Sequence, residues 1–354
     1  MGIKSLNKFL RGIFPNLYEL IHISEYQFKK VGVDVSLYVY IYMALYGDGW
    51  LNGFIRLISI LRQNEIHPVF IYDSGAPVEK QEERKKRSDN REKLRERIQI
   101  IETAVDRYEN EGIIDDVLVK FQEKRKIEVP KLIRVGNTIN INGIKQALEK
   151  MKSQSFQVCK EDFELTKKLF DVLQVPYFNA PMEAENMCSD LCLQGKIDAV
   201  LSEDTDVLAY GAPVFLTKIN TQNGTCYRIK HDELLKLTEF TKDQFTDFCI
   251  MCGCDYNTNI PRIGPAKAYK LLKDHGNIDN IGEKGYDISV LNHKRVRNLF
   301  LDYEKSQIKV PYCGIPDFSE VQIFVTKKNL RINVDNLRKS FVREFIIENE
   351  KEEQ

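Results

Sequence analysis

Seven carboxylates stand beside apolar runs in this chain. Asp34 closes Val31-Gly32-Val33 and Asp73 closes Val69-Phe70-Ile71-Tyr72. Glu183 and Glu185 follow Pro181-Met182, Asp204 and Asp206 follow Ala199-Val200-Leu201, and Asp255 lies in Gly253-Cys254-Asp255-Tyr256. Like charges brought together repel, so such a set is tolerable only if the acids are exposed, protonated or neutralised by cations. Hard oxygen donors select Mg²⁺ or Mn²⁺. Two such ions roughly 4 Å apart would activate a water and stabilise a leaving oxygen in phosphodiester hydrolysis. Any one of these acids reads as well as a helix cap or a solvated strand end; together they are a candidate metal centre. Asp204 and Asp206, two apart, face the same side if the chain there is extended. Nothing suggests a Ser-His-Asp arrangement among only five His. Cys249, Cys252 and Cys254 lack a fourth ligand at zinc spacing.

The apolar runs that end in Asp34, Asp73 and Asp204 read as short buried strands. Helical stretches lie between them, such as Trp50–Asn64 and Glu183–Gln194, the latter stopped by Gly195. This alternation predicts an α/β fold with a mostly parallel sheet, and ligands bind such sheets at the carboxyl ends of the strands. Asn223-Gly224 predicts a hairpin turn between strands at Phe215–Ile219 and Cys226–Ile229 rather than a glycosylation site. Residues 78 to 111 contain no Gly or Pro. Within them Leu94, Ile98, Ile101, Val105 and Tyr108 form one stripe on a long helix. A second stripe, Ile114, Val117, Leu118 and Phe121, follows Gly112. The pair predicts an antiparallel helical hairpin projecting from the core; the alternative, a dimerising coiled coil, needs a longer seam.

The chain has 354 residues, with Lys plus Arg and Asp plus Glu both at 52, so its formal net charge is zero. Neutrality excludes only nucleic-acid binding by charge spread evenly over the surface. Residues 84 to 97 hold eight basic against three acidic side chains, and residues 261 to 309 hold ten against six. Residues 161 to 210 hold eleven acids against three bases. No apolar run approaches the roughly 18 residues of a membrane span. No secretory signal opens the chain, and eight Cys in this length make no disulfide framework. A reduced, intracellular protein is expected.

Met1-Gly2-Ile3-Lys4-Ser5-Leu6, Val33-Asp34, Phe70-Ile71-Tyr72-Asp73, Ala180-Pro181-Met182-Glu183-Ala184-Glu185, Ser202-Glu203-Asp204-Thr205-Asp206 and Gly253-Cys254-Asp255-Tyr256 occur in one order. In that order and near that spacing the chain, from residue 1 to about residue 310, resembles the flap endonuclease family, the XPG-type structure-specific 5′ nucleases. The resemblance implies a PIN-like core in two parts, 1–76 and 151–256. A helical arch and insertion would span 77–150, a helix-hairpin-helix duplex-binding region 257–310, and a short extension 311–354. It implies that Asp34, Asp73, Glu183, Glu185, Asp204, Asp206 and Asp255 hold two Mg²⁺ ions, with Mn²⁺ as a substitute, and that Gly2 lies near them. Lys80 and Arg87 match the basic residues aimed at the scissile phosphate, and Lys86 lies on the same arch. Tyr40 matches an aromatic on which a flanking base stacks, although a lone Tyr is otherwise more often core.

Asn259 to Ala268 resembles the family's helix-hairpin-helix turn. There Gly264 and the helix N-terminus after Pro265 would meet a phosphate, Lys267 and Lys270 would touch the duplex, and a K⁺ ion would be held. Arg262 stands where the family usually has glycine. The implied partner is branched or 5′-flapped DNA, bound by a monomer, in the nucleus or at a DNA replication site, which could be viral. The implied activity is hydrolysis of a phosphodiester near the single-strand/duplex junction. A 5′→3′ exonuclease, a bubble or junction endonuclease, and a non-catalytic DNA-binding scaffold are the alternatives. The tail carries no match to a sliding-clamp peptide. Residues 131 to 150, with Val135, Ile139 and Ile141 alternating, are additional to the family pattern.

Overall fold

Alternate residues of one strand enter two different cores. Val69 and Ile71 pack into one, Phe70 and Tyr72 into the other. This is the two-face burial that the continuous apolar run implies. That strand, His67–Tyr72 (β3), lies in a seven-stranded sheet of the computed structural model, which describes residues 2–128, 139–153 and 155–341. The others are Glu19–His22 (β1), Lys30–Asp34 (β2), Tyr177–Asn179 (β4), Ala199–Leu201 (β5), Val214–Asn220 (β6) and Thr225–Lys230 (β7). The order is β1-β7-β6-β5-β2-β3-β4. The five strands from β6 to β4 run parallel, and β7 and β1 join antiparallel at one edge. The expected hairpin is β6–β7. Gly224 at φ 70° closes its turn, which spans the four residues from Thr221 to Gly224.

One face is covered by Leu6–Ile13 (α1), with Val35–Tyr46 (α2) and Leu51–Gln63 (α3) on the other. After β3 the chain leaves the sheet for Gln81–Glu111 (α4), Asp116–Arg125 (α5) and Ile141–Lys152 (α6). Lys160–Val172 (α7) returns to the second core, and Ala184–Leu193 (α8) to the first. The short Asp206–Ala209 (α9) and then His231–Thr238 (α10), Lys242–Cys252 (α11), Pro265–His275 (α12), Ile278–Glu283 (α13) and His293–Leu301 (α14) all join the first core. Phe318–Lys327 (α15) and Val334–Phe341 (α16) close on the second. Among the described residues no helix is long and apolar enough to cross a membrane, and all eight Cys are free thiols.

The projection from the sheet has a core of its own. Ile98, Ile101, Ala104 and Val105 of α4 bury against Leu118 and Phe121 of α5 and against Ile144, Leu148 and Met151 of α6. The two stripes expected to zip together therefore pack as part of a three-helix unit. Alternation around Ile139 and Ile141 is not a strand: Ile141 begins α6, whose N-cap Asn140 accepts from the Gly143 amide at 2.9 Å. The helical period won because Ile144, Leu148 and Met151 continue the apolar face. Val135 lies outside the described residues. Ile114, counted in the second stripe, is 39% exposed because it precedes α5, which starts at Asp116 behind the Asp115 cap.

Candidate active site

Three acids arrive on neighbouring central strands. Asp34 ends β2, buried, and caps α2 by accepting from the Leu37 amide at 3.2 Å. Asp73, exposed, follows β3 and accepts from the Ala184 amide at 2.7 Å, which ties it to the start of α8. Glu183 is the N-cap residue of that helix and Glu185 lies in its first turn. Asp204 follows β5. Here the extended-chain expectation fails, because the backbone turns into α9 at Asp206. Asp204 Oδ1 accepts from the Asp206 amide at 2.9 Å, and the Asp204 amide donates to Ser202 Oγ at 3.0 Å. The short polar side chain mimics a backbone turn, and the two acids are brought together by that turn. Gly2 seals them from outside: at φ 80°, a Cβ on it would lie 2.0 Å from Asp204 Oδ1 and 2.6 Å from Asp206 Oδ1. The N-terminal segment is pinned there by the Lys4 amide on the Gly253 carbonyl, 2.8 Å.

The electrostatics link the acids into one field. Burial first, then Asp73 and Asp204, push the Asp34 carboxyl well above its usual range. Glu185 is pushed up by burial and by Asp34, Asp204 and Asp73. Asp206 is pushed up by burial and by Asp204 and Asp255. Two cations at the start of α4 answer part of this charge. Lys80 Nζ donates to Glu183 and stands 3.3 Å from Asp255. Burial alone would lower the Lys80 ammonium, but Glu183, Glu185 and Asp255 outweigh it and hold it above its usual value. Arg87 Nη2 donates to both Asp255 oxygens at 2.8 and 2.9 Å. The Tyr256 hydroxyl also donates to Glu183, and Tyr210 stands 2.9 Å behind it.

Among the described residues no three His, Cys, Asp or Glu side chains stand close enough to hold an ion as they lie. Lys80 and Arg87, on Glu183 and Asp255, meet only part of the charge. One atom is left over. Asp206 Oδ1 is buried and finds no hydrogen-bond donor, and a buried carboxylate oxygen without a donor or cation is costly. An all-oxygen donor set with such an orphan fits a hard divalent cation.

The other expected contacts lie around this field. Lys86 lines a cleft of 640 Å³ with Lys4, Glu79, Asp255, Tyr256 and Asn259. Gly264 is the N-cap residue of α12 with Pro265 at its first position, and a Cβ on Gly264 would meet nothing within 4 Å. Its glycine is not demanded by the protein's own packing. Lys267 and Lys270 are exposed on α12. Arg262 sits at φ 62°, the left-handed conformation in which glycine costs nothing. Tyr40 is 37% exposed on α2, its ring tilted against Phe156. Sequence reasoning missed Phe156, Tyr210 and the bond from Tyr256 to Glu183; no spacing signals a partner 116 residues away.

Residues 1–94 match the model of the XPG N-terminal domain and residues 174–255 that of the XPG I-region. A probable RAD2-like endonuclease of Invertebrate iridescent virus 3 is 32% identical, over 92% of each chain. The chain belongs to the XPG family. It is accordingly a nuclease. A second viral relative, the probable RAD2-like endonuclease 369L of Invertebrate iridescent virus 6, is 30% identical over 96% of this chain and 92% of its own. Flap endonuclease 1 of Lodderomyces elongisporus is 31% identical over 79% of this chain and 68% of its own. The XPG-family fold is shared with the catalytic core of Rad2 in complex with DNA substrate (TM-score 0.65, 17% identity, 96% and 98% of the two chains). It is shared also with flap endonuclease-1 from Methanococcus jannaschii (TM-score 0.60, 21% identity, 92% and 94%).

Proposed function

We propose that this XPG-family nuclease cuts branched DNA, hydrolysing one phosphodiester near the junction of a 5′ single strand and a duplex. The observation that carries the reading is that Lys80 and Arg87 pair with Glu183 and Asp255 inside one electrostatic field of acids gathered from strand ends, α8, α9 and the turn after α11. A structural cluster would need no reserve of cations on a separate element. Two divalent ions, when bound by Asp34, Asp73, Glu183, Glu185, Asp204, Asp206 and Asp255, supply an activated water and stabilise the leaving oxygen. Lys80 and Arg87, which pair with Glu183 and Asp255 here, would be the side chains to place positive charge on the scissile phosphate. Tyr256 holds the Glu183 carboxylate in place, and Gly2 closes the far side. Lys86 and the other arch bases draw in the single strand through its phosphates. Gly264, the α12 N-terminus, Lys267 and Lys270 hold the duplex. The same reading puts a K⁺ ion at the 259–264 turn, which replacing K⁺ by Na⁺ in a duplex-binding titration tests. One copy of the chain suffices, since every proposed contact comes from it.

Cleavage of labelled 5′-flap, nicked, blunt and bubble substrates, with Mg²⁺ and with EDTA, is the test. Flap cleavage that EDTA abolishes is expected. An Asp204→Ala protein that cuts as well as wild type sinks the mechanism, and preference for blunt ends or bubbles moves the assignment within the family.

A further inference from the structure

Glu79 and Lys80 are consecutive in the short turn Val78–Lys80 that leads into α4. Their side chains are held by different parts of the molecule. Lys80 bonds Glu183 and stands 3.3 Å from Asp255. Glu79 Oε1 accepts from Arg295 Nε, on α14, at 2.7 Å. The other oxygen, Glu79 Oε2, is buried and finds no donor among the described residues, so Arg295 is the side chain that holds this carboxylate. Glu79 and Asp255 line one cleft with Val290 and Asn292, which come just before α14. The pair therefore joins two walls of that cleft.

The helix that offers Arg295 is itself tied to the acid site. Arg297 donates from Nε and Nη2 to the two oxygens of the buried Asp247 on α11, at 2.6 and 2.7 Å. Phe300 packs on Tyr256 and Tyr210, with ring centroids 5.4 and 5.1 Å apart, and Tyr256 donates to Glu183. Arg295 is thus a post set in the same wall as the acid that Lys80 reaches. Successive Cα atoms lie about 3.8 Å apart, so a shift of the backbone at Glu79 passes almost whole to Lys80.

We propose that Glu79, held by Arg295, is a positioning residue that fixes the foot of α4 and so keeps the Lys80 ammonium aimed at the acid cluster where the scissile phosphate would lie. This rests on the branched-DNA reading above. Arg295 is about half exposed, and an ion pair of that kind contributes little to folding stability. Its loss is therefore read in rate and not in melting. The competing role, in which Arg295 only anchors a duplex phosphate, predicts weaker binding and no change of rate once the DNA is fully bound.

Single-turnover cleavage of a labelled 5′ flap by saturating protein in Mg²⁺, with flap affinity measured in EDTA, separates the two. Glu79→Gln and Arg295→Gln should each slow cleavage about tenfold, a fraction of the roughly 10²-fold that a 1 Å misplacement costs. The double variant should be no slower than either alone, as expected of one shared interaction. Glu79→Gln should bind the flap as tightly as wild type and melt at the same midpoint. On a Lys80→Ala background Glu79→Gln should cost nothing further, because it acts through Lys80. Multiplying losses in the double variant, a further loss on Lys80→Ala, or an Arg295→Gln protein that loses affinity alone would each overturn the proposal. If Glu79→Gln cuts at the wild-type rate while wild type cuts the flap, the positioning role is wrong and the nuclease reading stands. If wild type cuts no flap, the branched-DNA reading fails and takes this role with it.

Discussion

Replacing Gly2 by Ala adds one carbon where the structure has no room. The new Cβ would stand 2.0 Å from Asp204 Oδ1, 2.6 Å from Asp206 Oδ1 and 2.9 Å from the Asp206 amide, and contacts under 3.0 Å essentially never occur. The Asp204 oxygen must therefore retreat by about 1 Å, or the N-terminal segment must lift away from Lys4 and its bond to Gly253. The backbone at φ 80° adds about 1–2 kcal/mol against any side chain. A shift of about 1 Å in a catalytic constellation costs on the order of 10²-fold in rate, or about 2.7 kcal/mol of barrier. Single-turnover cleavage of a 5′ flap in saturating Mg²⁺ should fall by that factor, while the melting midpoint falls only by the few degrees that about 1–2 kcal/mol accounts for. Gly12→Ala is the matched control: its Cβ would meet nothing within 4 Å, so it should cut normally and gain about 0.5–1 kcal/mol of stability inside α1. A Gly2→Ala protein that cuts within about threefold of wild type would refute the steric argument.

Arg87→Ala should slow cleavage by about 10²–10³-fold while flap binding falls only severalfold; equal losses would reduce Arg87 to a phosphate anchor. Asp206→Asn removes one of several like charges, so the metal-free protein should melt no lower than wild type, whereas the Mg²⁺-induced rise in midpoint should disappear; a retained rise would remove Asp206 from the ligand set. His67 accepts from the Cys313 amide at 3.1 Å, and burial with Arg62 and Lys30 lowers its imidazole to about 4. Its contribution is present above the unfolded value near 6.5 and is lost as pH falls toward 4, worth about 1–2 kcal/mol after allowing for partial exposure. His67→Gln should flatten the wild-type loss of midpoint between those pH values, and parallel curves would exclude the histidine. Arg262→Gly should raise stability by about 1 kcal/mol through relief of its left-handed backbone; a lower midpoint would show that the arginine side chain stabilises the turn.

The strands and their terminal acids were legible because a buried parallel strand must be apolar throughout and must stop where the site begins. Asp34, Asp73 and Asp204 each sit at that change. The projecting helices were legible only in part. Ile98, Ile101 and Val105 declare a helical face, but nothing in them says whether the second helix or a third covers it, and α6 lay behind a stretch that mimicked strand alternation. Asp204 and Asp206 were grouped correctly for the wrong reason: a side-chain-to-backbone turn joins them, and such turns have no period. The cation pairs of Lys80 and Arg87 with Glu183 and Asp255 span more than 100 residues, as does Phe156 on Tyr40. Only the folded chain brings them together.

The ladder gives the site a fixed gauge. Asp34 is level with Ile71 across β2–β3, and Val33 with Leu201 across β2–β5. The three strands that carry these acids are therefore spaced by an interstrand repeat of about 4.8 Å, with Asp73 two residues beyond Ile71 and Asp204 three beyond Leu201. Backbone hydrogen bonds set that repeat, so no side-chain exchange can widen or narrow it. Natural variation in what such a protein cuts must then accumulate in the elements that decide which phosphate arrives, while the distance between the blades stays constant.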